Sequence, residues 1–209
     1  MTGVEVHAAF AHSALLHEGP HQLAEVLGPE IEAGVASGDA FLVCLDAPAT
    51  DALRAVLPPD DGVTYIPLDR RYSRPGVAMA SLHEFVTGAL DSGAPTAWSI
   101  GAIPFQGNHL DRRWSRYELA VDAVLGHLPV RAVCSYDLEV LSADTITEAH
   151  CTHETVASRH GTQCGTSAPR AEPCSGRIGR PTWRATPPRL ASSVASSQPH
   201  SRSTCRARG

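Results

Sequence analysis

The chain has 209 residues, 43% of them hydrophobic, and a formal net charge of −5, which is the length of one ordinary domain, or of one domain with an appendage. All 17 basic residues are arginine, so a Walker-type phosphate lysine, a kinase strand lysine, a Schiff-base lysine and a Ser-Lys dyad are all excluded. The longest apolar runs, such as residues 40–45, are strand-sized and too short to span a bilayer; the first 25 residues carry no Arg for a secretory n-region, and a cytoplasmic protein is expected.

Residues 1–153 read as alternating α and β. Gly19-Pro20 opens a helix with apolar positions Leu23, Val26, Leu27, Ile31 and Val35, near helical spacing, and Pro29 is expected to kink it or split off its first turn. Strand Phe41–Leu45 follows the Gly38-Asp39 turn, then a helix over Thr50–Leu57 with Thr50 or Asp51 as cap. Val63–Ile66 is a strand, Val77–Leu90 a helix and Ala97–Ile100 a short strand. The clearest helix runs from Asp111 to Leu125: Trp114, Tyr117, Val121, Val124 and Leu125 form its apolar stripe, with Arg112, Arg113 and Glu118 placed off it. Val130–Cys134 is an apolar strand, and Ser142 caps a last helix toward Ala149. Strands separated by helices of this length imply right-handed crossovers, hence a three-layer α/β sandwich around a mostly parallel sheet.

The charge is unevenly divided. Up to His153 there are 8 Arg against 20 Asp and Glu, a net of −12; from Glu154 onward there are 9 Arg against 2 Glu, a net of +7. Residues 154–209 hold Val156, Ile178, Trp183, Leu190 and Val194 as their large apolar side chains, too few to offset chain entropy, so a disordered tail is expected. Two readings fit it: a basic arm for nucleic acid or an acidic partner, or out-of-frame translation of a GC-rich gene, which yields this Arg/Ser/Pro/Cys/Thr mixture without periodicity. The second is favoured, and nucleic acid is not an expected partner. Cys44 and Cys134 fall in apolar strand-like runs, while Cys151, Cys164, Cys174 and Cys205 lie at or beyond the break with no CxxC pair; a disulfide framework is not expected.

Chemistry-bearing motifs are sparse. His7, His12, His17 and His21 cluster near the start, but Gly19-Pro20 interrupts the one four-residue gap, and loop or surface histidines are the commoner case. His150 and His153 are three apart, with no Cys or carboxylate pattern completing a site. No metal, cofactor or catalytic residue is assigned. There is no GxSxG, GxGxxG or GxxxxGK[ST] motif, so a non-enzymatic protein is expected. What remains is polar groups at strand ends, where open parallel sheets bind ligands: Asp46, Gly101 and Ser135-Tyr136-Asp137. Turn capping is the competing role for Asp46 and Asp137. The Trp114-Ser115-Arg116-Tyr117-Glu118 segment adds an aromatic wall with charged margins, suited to a small, partly apolar ligand.

These motifs, in this order, resemble one family. His12-Ser13-Ala14-Leu15-Leu16-His17 is similar to the HxALLY opening of the methanogen/methylotroph sensory (MEDS) domain. Residues 33–43, the Asp51–Leu57 helix, Trp114–Glu118, Val133-Cys134-Ser135-Tyr136-Asp137 and Thr152-His153 resemble its later motifs in turn. The chain departs from the pattern at His17, where Tyr is usual, and at Glu154, where Pro is usual. The resemblance covers about residues 10–153 and implies a RecA/P-loop-like fold that has lost its phosphate loop, consistent with the missing lysine. It also implies a sensory domain, residues 1–153, of the kind found in bacterial sensor kinases and anti-sigma regulators, with residues 154–209 as tail. The expected ligand is a small organic molecule held by His12, Trp114, Arg116, Tyr117, Glu118, Tyr136 and Asp137, and the expected partner a sigma/anti-sigma or kinase module. The alternative is a protein-interaction or scaffold domain of an anti-sigma or histidine-kinase-type regulator that has lost its ATPase half, its acidic body facing a basic partner.

Overall fold

A computed structural model describes residues 10–59, 62–102, 104, 112–158 and 161–164. The elements run β1 (Ala11–His17), α1 (Gly19–Ala36), β2 (Ala40–Cys44), α2 (Ala47–Val56), β3 (Val63–Tyr65), α3 (Leu68–Arg71), α4 (Pro75–Asp91), β4 (Ala97–Ala102), α5 (Arg112–Leu125), β5 (Val130–Asp137), α6 (Ala143–Thr152), β6 (Thr155–Ser158) and β7 (Gly161–Cys164). The strands form one sheet in the order β3-β2-β4-β5-β1-β6-β7. Its first six strands pair in parallel, and β7 closes the edge antiparallel to β6.

Side-chain alternation along the strands divides the core into two slabs. Leu15, Phe41, Val43, Trp98, Ile100, Val133 and Ala157 pack under α1 and α2 through Leu23, Leu27, Ile31, Ala49 and Leu53. Ala14, Cys44, Ala97, Ala132, Cys134, Tyr136 and Val156 point the other way, against α4, α5 and α6. The expected three-layer α/β sandwich is therefore the observed fold, buried on both faces as a parallel sheet requires.

β1 leads into α1 through a single residue, Glu18, with no room for a phosphate-wrapping loop. Gly19 takes φ +77°, a conformation cheap only for glycine, and its N–H donates to Asp137 Oδ1 at 3.2 Å. Pro29 does not split α1, which is continuous through it from Gly19 to Ala36. Pro29 lies on the exposed face between the buried Leu27 and Ile31, where water can satisfy the carbonyl it leaves unbonded. Asp46 caps α2 by accepting from the Ala49 N–H at 2.9 Å, and Ser142 caps α6 through the Thr145 N–H at 3.3 Å.

The chain does not leave the fold at His153. β6 pairs with β1 in register Ser13–Thr155 to Leu15–Ala157, and Val156 and Ala157 are buried on opposite faces. Four residues with two inward side chains are too short to show a period in sequence. Cys151 is disulfide-bonded, against the expectation drawn from compartment. Residues 165–209, including the rest of the expected tail, lie outside the described residues. Among the described residues no helix is long and apolar enough to cross a membrane.

Candidate functional site

The slab beneath α4, α5 and α6 contains a buried polar cluster. β1 contributes His12, β5 contributes Cys134 and Tyr136, α5 contributes Glu118 and Asp122, and the end of α6 contributes His153. His12 bridges two carboxylates, with Nδ1 2.8 Å from Asp122 Oδ1 and Nε2 3.0 Å from Glu118 Oε2. The Cys134 thiol donates to the same Glu118 oxygen at 3.3 Å and lies 3.4 Å from His12 Nε2. The Tyr136 hydroxyl donates to Glu118 Oε1 at 3.3 Å. His153 Nδ1 donates to the Ala149 carbonyl at 2.9 Å. That fixes its tautomer and turns Nε2 toward Glu118 Oε2, 3.6 Å away, with no hydrogen-bond partner among the described residues.

These groups hold each other's protons. Burial opposes charge on His12, but the Cys134 sulfur and the hydrogen bonds to Asp122 and Glu118 outweigh it and raise its pKa well above a free imidazole's. Burial pulls His153 down to about 4, against the attraction of Glu118. Burial would raise Glu118, yet the attraction of His153 and the hydrogen bond from His12 leave it below the usual carboxylate range. Burial, then the Glu118 charge, push the Cys134 thiol up to about 12.

Beside this cluster, toward β2 and β4, lies an aromatic group. Tyr72, Trp114 and Tyr117 meet edge to face, with centroids 5.6, 6.2 and 5.7 Å apart. The Tyr72 hydroxyl sits where a Cβ on Gly101 would be, so only glycine at that position admits the ring. Arg71 is buried beneath them, its Nη2 donating to Ser99 Oγ at 3.0 Å and its guanidinium 5.1 Å from the Tyr72 ring centroid, while Nε and Nη1 find no hydrogen-bond partner among the described residues.

Above the aromatic group, a cleft of about 850 Å³ opens at the carboxyl edge of the sheet, beyond the ends of β2, β3 and β4. Leu45, Tyr65, Ile66, Leu68, Tyr72 and Trp114 supply apolar walls, and Asp46, Asp51, Arg54, Asp69 and Arg113 supply charge. The Arg54 guanidinium lies over the Tyr65 ring at 4.2 Å.

The expected ligand residues are thus distributed over several places. His12, Glu118 and Tyr136 meet in the buried cluster. Trp114 lines the cleft, while Tyr117 packs behind it. Arg116 is exposed on α5, and the half-buried Asp137 accepts from the Gly19 and Glu139 N–H groups. Glu118 belongs to the buried face of α5 and not beside it: it is 0% exposed and sits one helical turn from Trp114. His12 and His17 are buried strand residues, at 1% and 3% exposure, because β1 is a central strand and not a loop; His7 lies outside the described residues. Cys134, Asp122 and His153 were not assigned to a site from sequence, since positions scattered from 12 to 153 carry no local spacing. The buried Arg71 had no signal at all in its exposed-looking Asp69-Arg70-Arg71 run.

A mostly parallel sheet buried between two helix layers, with a one-residue β1–α1 junction and a cleft at its carboxyl edge, places the chain in the class of parallel-sheet α/β domains. Residues 11–154 match the family described as MEDS, the methanogen/methylotroph, DcmR sensory domain, and the chain belongs to that family. No curated protein and no solved structure matches it.

Proposed function

We propose that this sensory domain binds a small, partly apolar organic molecule in the cleft beyond β2, β3 and β4. The observation that carries the reading is the cleft itself: about 850 Å³, walled by Tyr65, Tyr72 and Trp114 and edged by Arg54 and Arg113. Its size falls in the range of small-molecule sites, and apolar walls with few charged groups suit a compact ligand with one polar end. Trp114 and Tyr72 provide the apolar contact, and the arginines meet a carbonyl, hydroxyl or carboxylate oxygen. The domain carries no catalytic assignment; it reports occupancy to a regulatory module of sigma/anti-sigma or kinase type in the cytoplasm.

The test is thermal melting of the full chain against a panel of small alcohols, aldehydes, halocarbons and carboxylates, with magnesium nucleotides as the opposing arm. A ligand at 100 times its Kd stabilises by about 2.7 kcal/mol, which a melting curve resolves. The expected result is a rise with an organic compound that disappears in Trp114→Ala, with nucleotides silent. A nucleotide response, or no response to any organic compound, would overturn the reading, the second outcome favouring an interaction domain.

A further inference from the structure

We propose that His12, Glu118, Cys134 and His153 bind one Zn²⁺ ion within the slab between the sheet and α5–α6. This site is separate from the cleft and does not rest on its reading.

The geometry comes first. One donor atom from each of the four residues lies within 4.8 Å of every other, and the closest approaches are 3.0, 3.3, 3.4 and 3.6 Å. A tetrahedron of bonds about 2.0–2.3 Å long has edges of about 3.3–3.8 Å, so the four short pairs need shifts of tenths of an ångström, and the widest separation, up to 4.8 Å, must close by about 1 Å, to form a coordination shell.

The second argument is what surrounds the donors. Histidine ligands of zinc characteristically use the far ring nitrogen to donate to a carboxylate or a backbone carbonyl. Both histidines do so: His12 Nδ1 meets Asp122 and His153 Nδ1 meets the Ala149 carbonyl. Glu118 is held likewise, one oxygen receiving the Tyr136 hydroxyl and the other turned to the cluster.

The third argument is an unmet need. His153 is 0% exposed, and its Nε2 has no hydrogen-bond partner among the described residues. A buried nitrogen lone pair aimed at a carboxylate oxygen is unfavourable, and a cation between them resolves it. Charge also balances, because a thiolate and a carboxylate neutralise a divalent ion in a site closed to water. The donor set of two imidazoles, one thiolate and one carboxylate suits Zn²⁺ and not Mg²⁺ or Ca²⁺, which prefer oxygen. On binding, the Cys134 thiol gives up its proton to solvent and the sulfur takes the metal. His12 Nε2 likewise binds as the neutral imidazole. Four protein ligands leave no open position, so the ion ties β1, β5, α5 and the end of α6 together and is not a hydrolytic centre.

The experiment uses the chelator-stripped full chain, titrated with Co²⁺ as spectroscopic probe and with Zn²⁺ in competition against a chromophoric chelator. The expected result is one tight equivalent per chain, with the intense visible absorption of four-coordinate cobalt and a thiolate-to-cobalt charge-transfer band. Cys134→Ser should abolish that band and Cys44→Ser should keep it. Asp122→Asn touches no metal and is partly solvent-exposed, so it keeps the fold testable should Cys134→Ser fail to fold; it should weaken Zn²⁺ binding about 10–100-fold. His153→Gln should remove the rise in melting temperature that Zn²⁺ gives the unaltered chain. Absence of a tight equivalent, weak six-coordinate cobalt absorption, a charge-transfer band surviving in Cys134→Ser, or unaltered affinity in folded Asp122→Asn would each overturn the assignment.

Discussion

The two faces of the sheet are built on different principles. Beneath α1 and α2 the core is almost entirely hydrocarbon and indole, from Leu23, Leu27 and Ile31 to Phe41, Leu53 and Trp98, with a buried polar pair, His17 and Ser135, at its carboxyl end. Beneath α4, α5 and α6 the same sheet buries His12, Arg71, Ser99, Glu118 and His153 among its apolar residues. Burial of hydrocarbon is non-directional and favourable, whereas each buried polar group must be matched by a partner or it costs stability. One face is therefore held by hydrocarbon burial, whereas the other keeps its buried polar groups only through the partners they find in the fold.

Substitutions on the two faces should consequently differ in sign as well as size. Leu53→Ala, at a position with 0% exposure in the α1–α2 slab, should destabilise by about 2–5 kcal/mol in chemical denaturation, and added Zn²⁺ should not change that difference. On the opposite face, Arg71→Met replaces a buried guanidinium with two unpartnered nitrogens by an apolar chain of similar length. It should leave stability unchanged or raise it by up to about 4 kcal/mol in the same measurement; a large loss would show that the α4–α6 face depends on its charge. Gly101→Ala tests the close approach between them, since its Cβ would occupy the place of the Tyr72 hydroxyl. Displacing that ring should cost about 1–3 kcal/mol and alter Trp114 fluorescence through the edge-to-face contact.

The smallest effect is a slope. Burial pushes the Cys44 thiol up from 9.0 to about 11, against the attraction of Arg71. The unfolded chain thus loses this proton at lower pH than the folded one, so the contribution is fully present below pH 9 and is lost as pH rises toward 11. Tyr117, raised by burial to about 12, extends the decline. Cys44→Ala should flatten the first part of the alkaline stability profile, and an unchanged profile would remove Cys44 from the account.

The faces also differ in how legible they were. The hydrocarbon slab is written in local periods: Leu23, Leu27 and Ile31 recur at helical spacing and Phe41, Val43 and Leu45 at strand spacing, so the layers and the parallel sheet follow from sequence. The polar slab is assembled from long range. Glu118 meets His12 across 106 residues and Cys134 meets His12 across 122; such pairings depend on strand order, which local periodicity does not encode. The histidines of β1 read as loop residues because alternation there is broken by Ser13-Ala14-Leu15-Leu16. Trp114 was legible as part of an aromatic face, yet the cleft it lines owes as much to Tyr65 and Tyr72, which stand in short segments without a period.

The one-residue junction between β1 and α1 has a further consequence. A helix start is a place of partial positive charge with unbonded N–H groups, and it ordinarily welcomes an anion. Here Asp137 Oδ1 already receives the Gly19 N–H, and Glu139 Oε2 lies where a Cβ on Gly19 would come within 3.1 Å. The chain has placed its own carboxylates on the spot, so a phosphorylated metabolite arriving there would meet like charge instead of open donors. The start of α1 is thereby closed to phosphate by the chain's own carboxylates, and a ligand of the kind proposed above would be held elsewhere along the carboxyl edge.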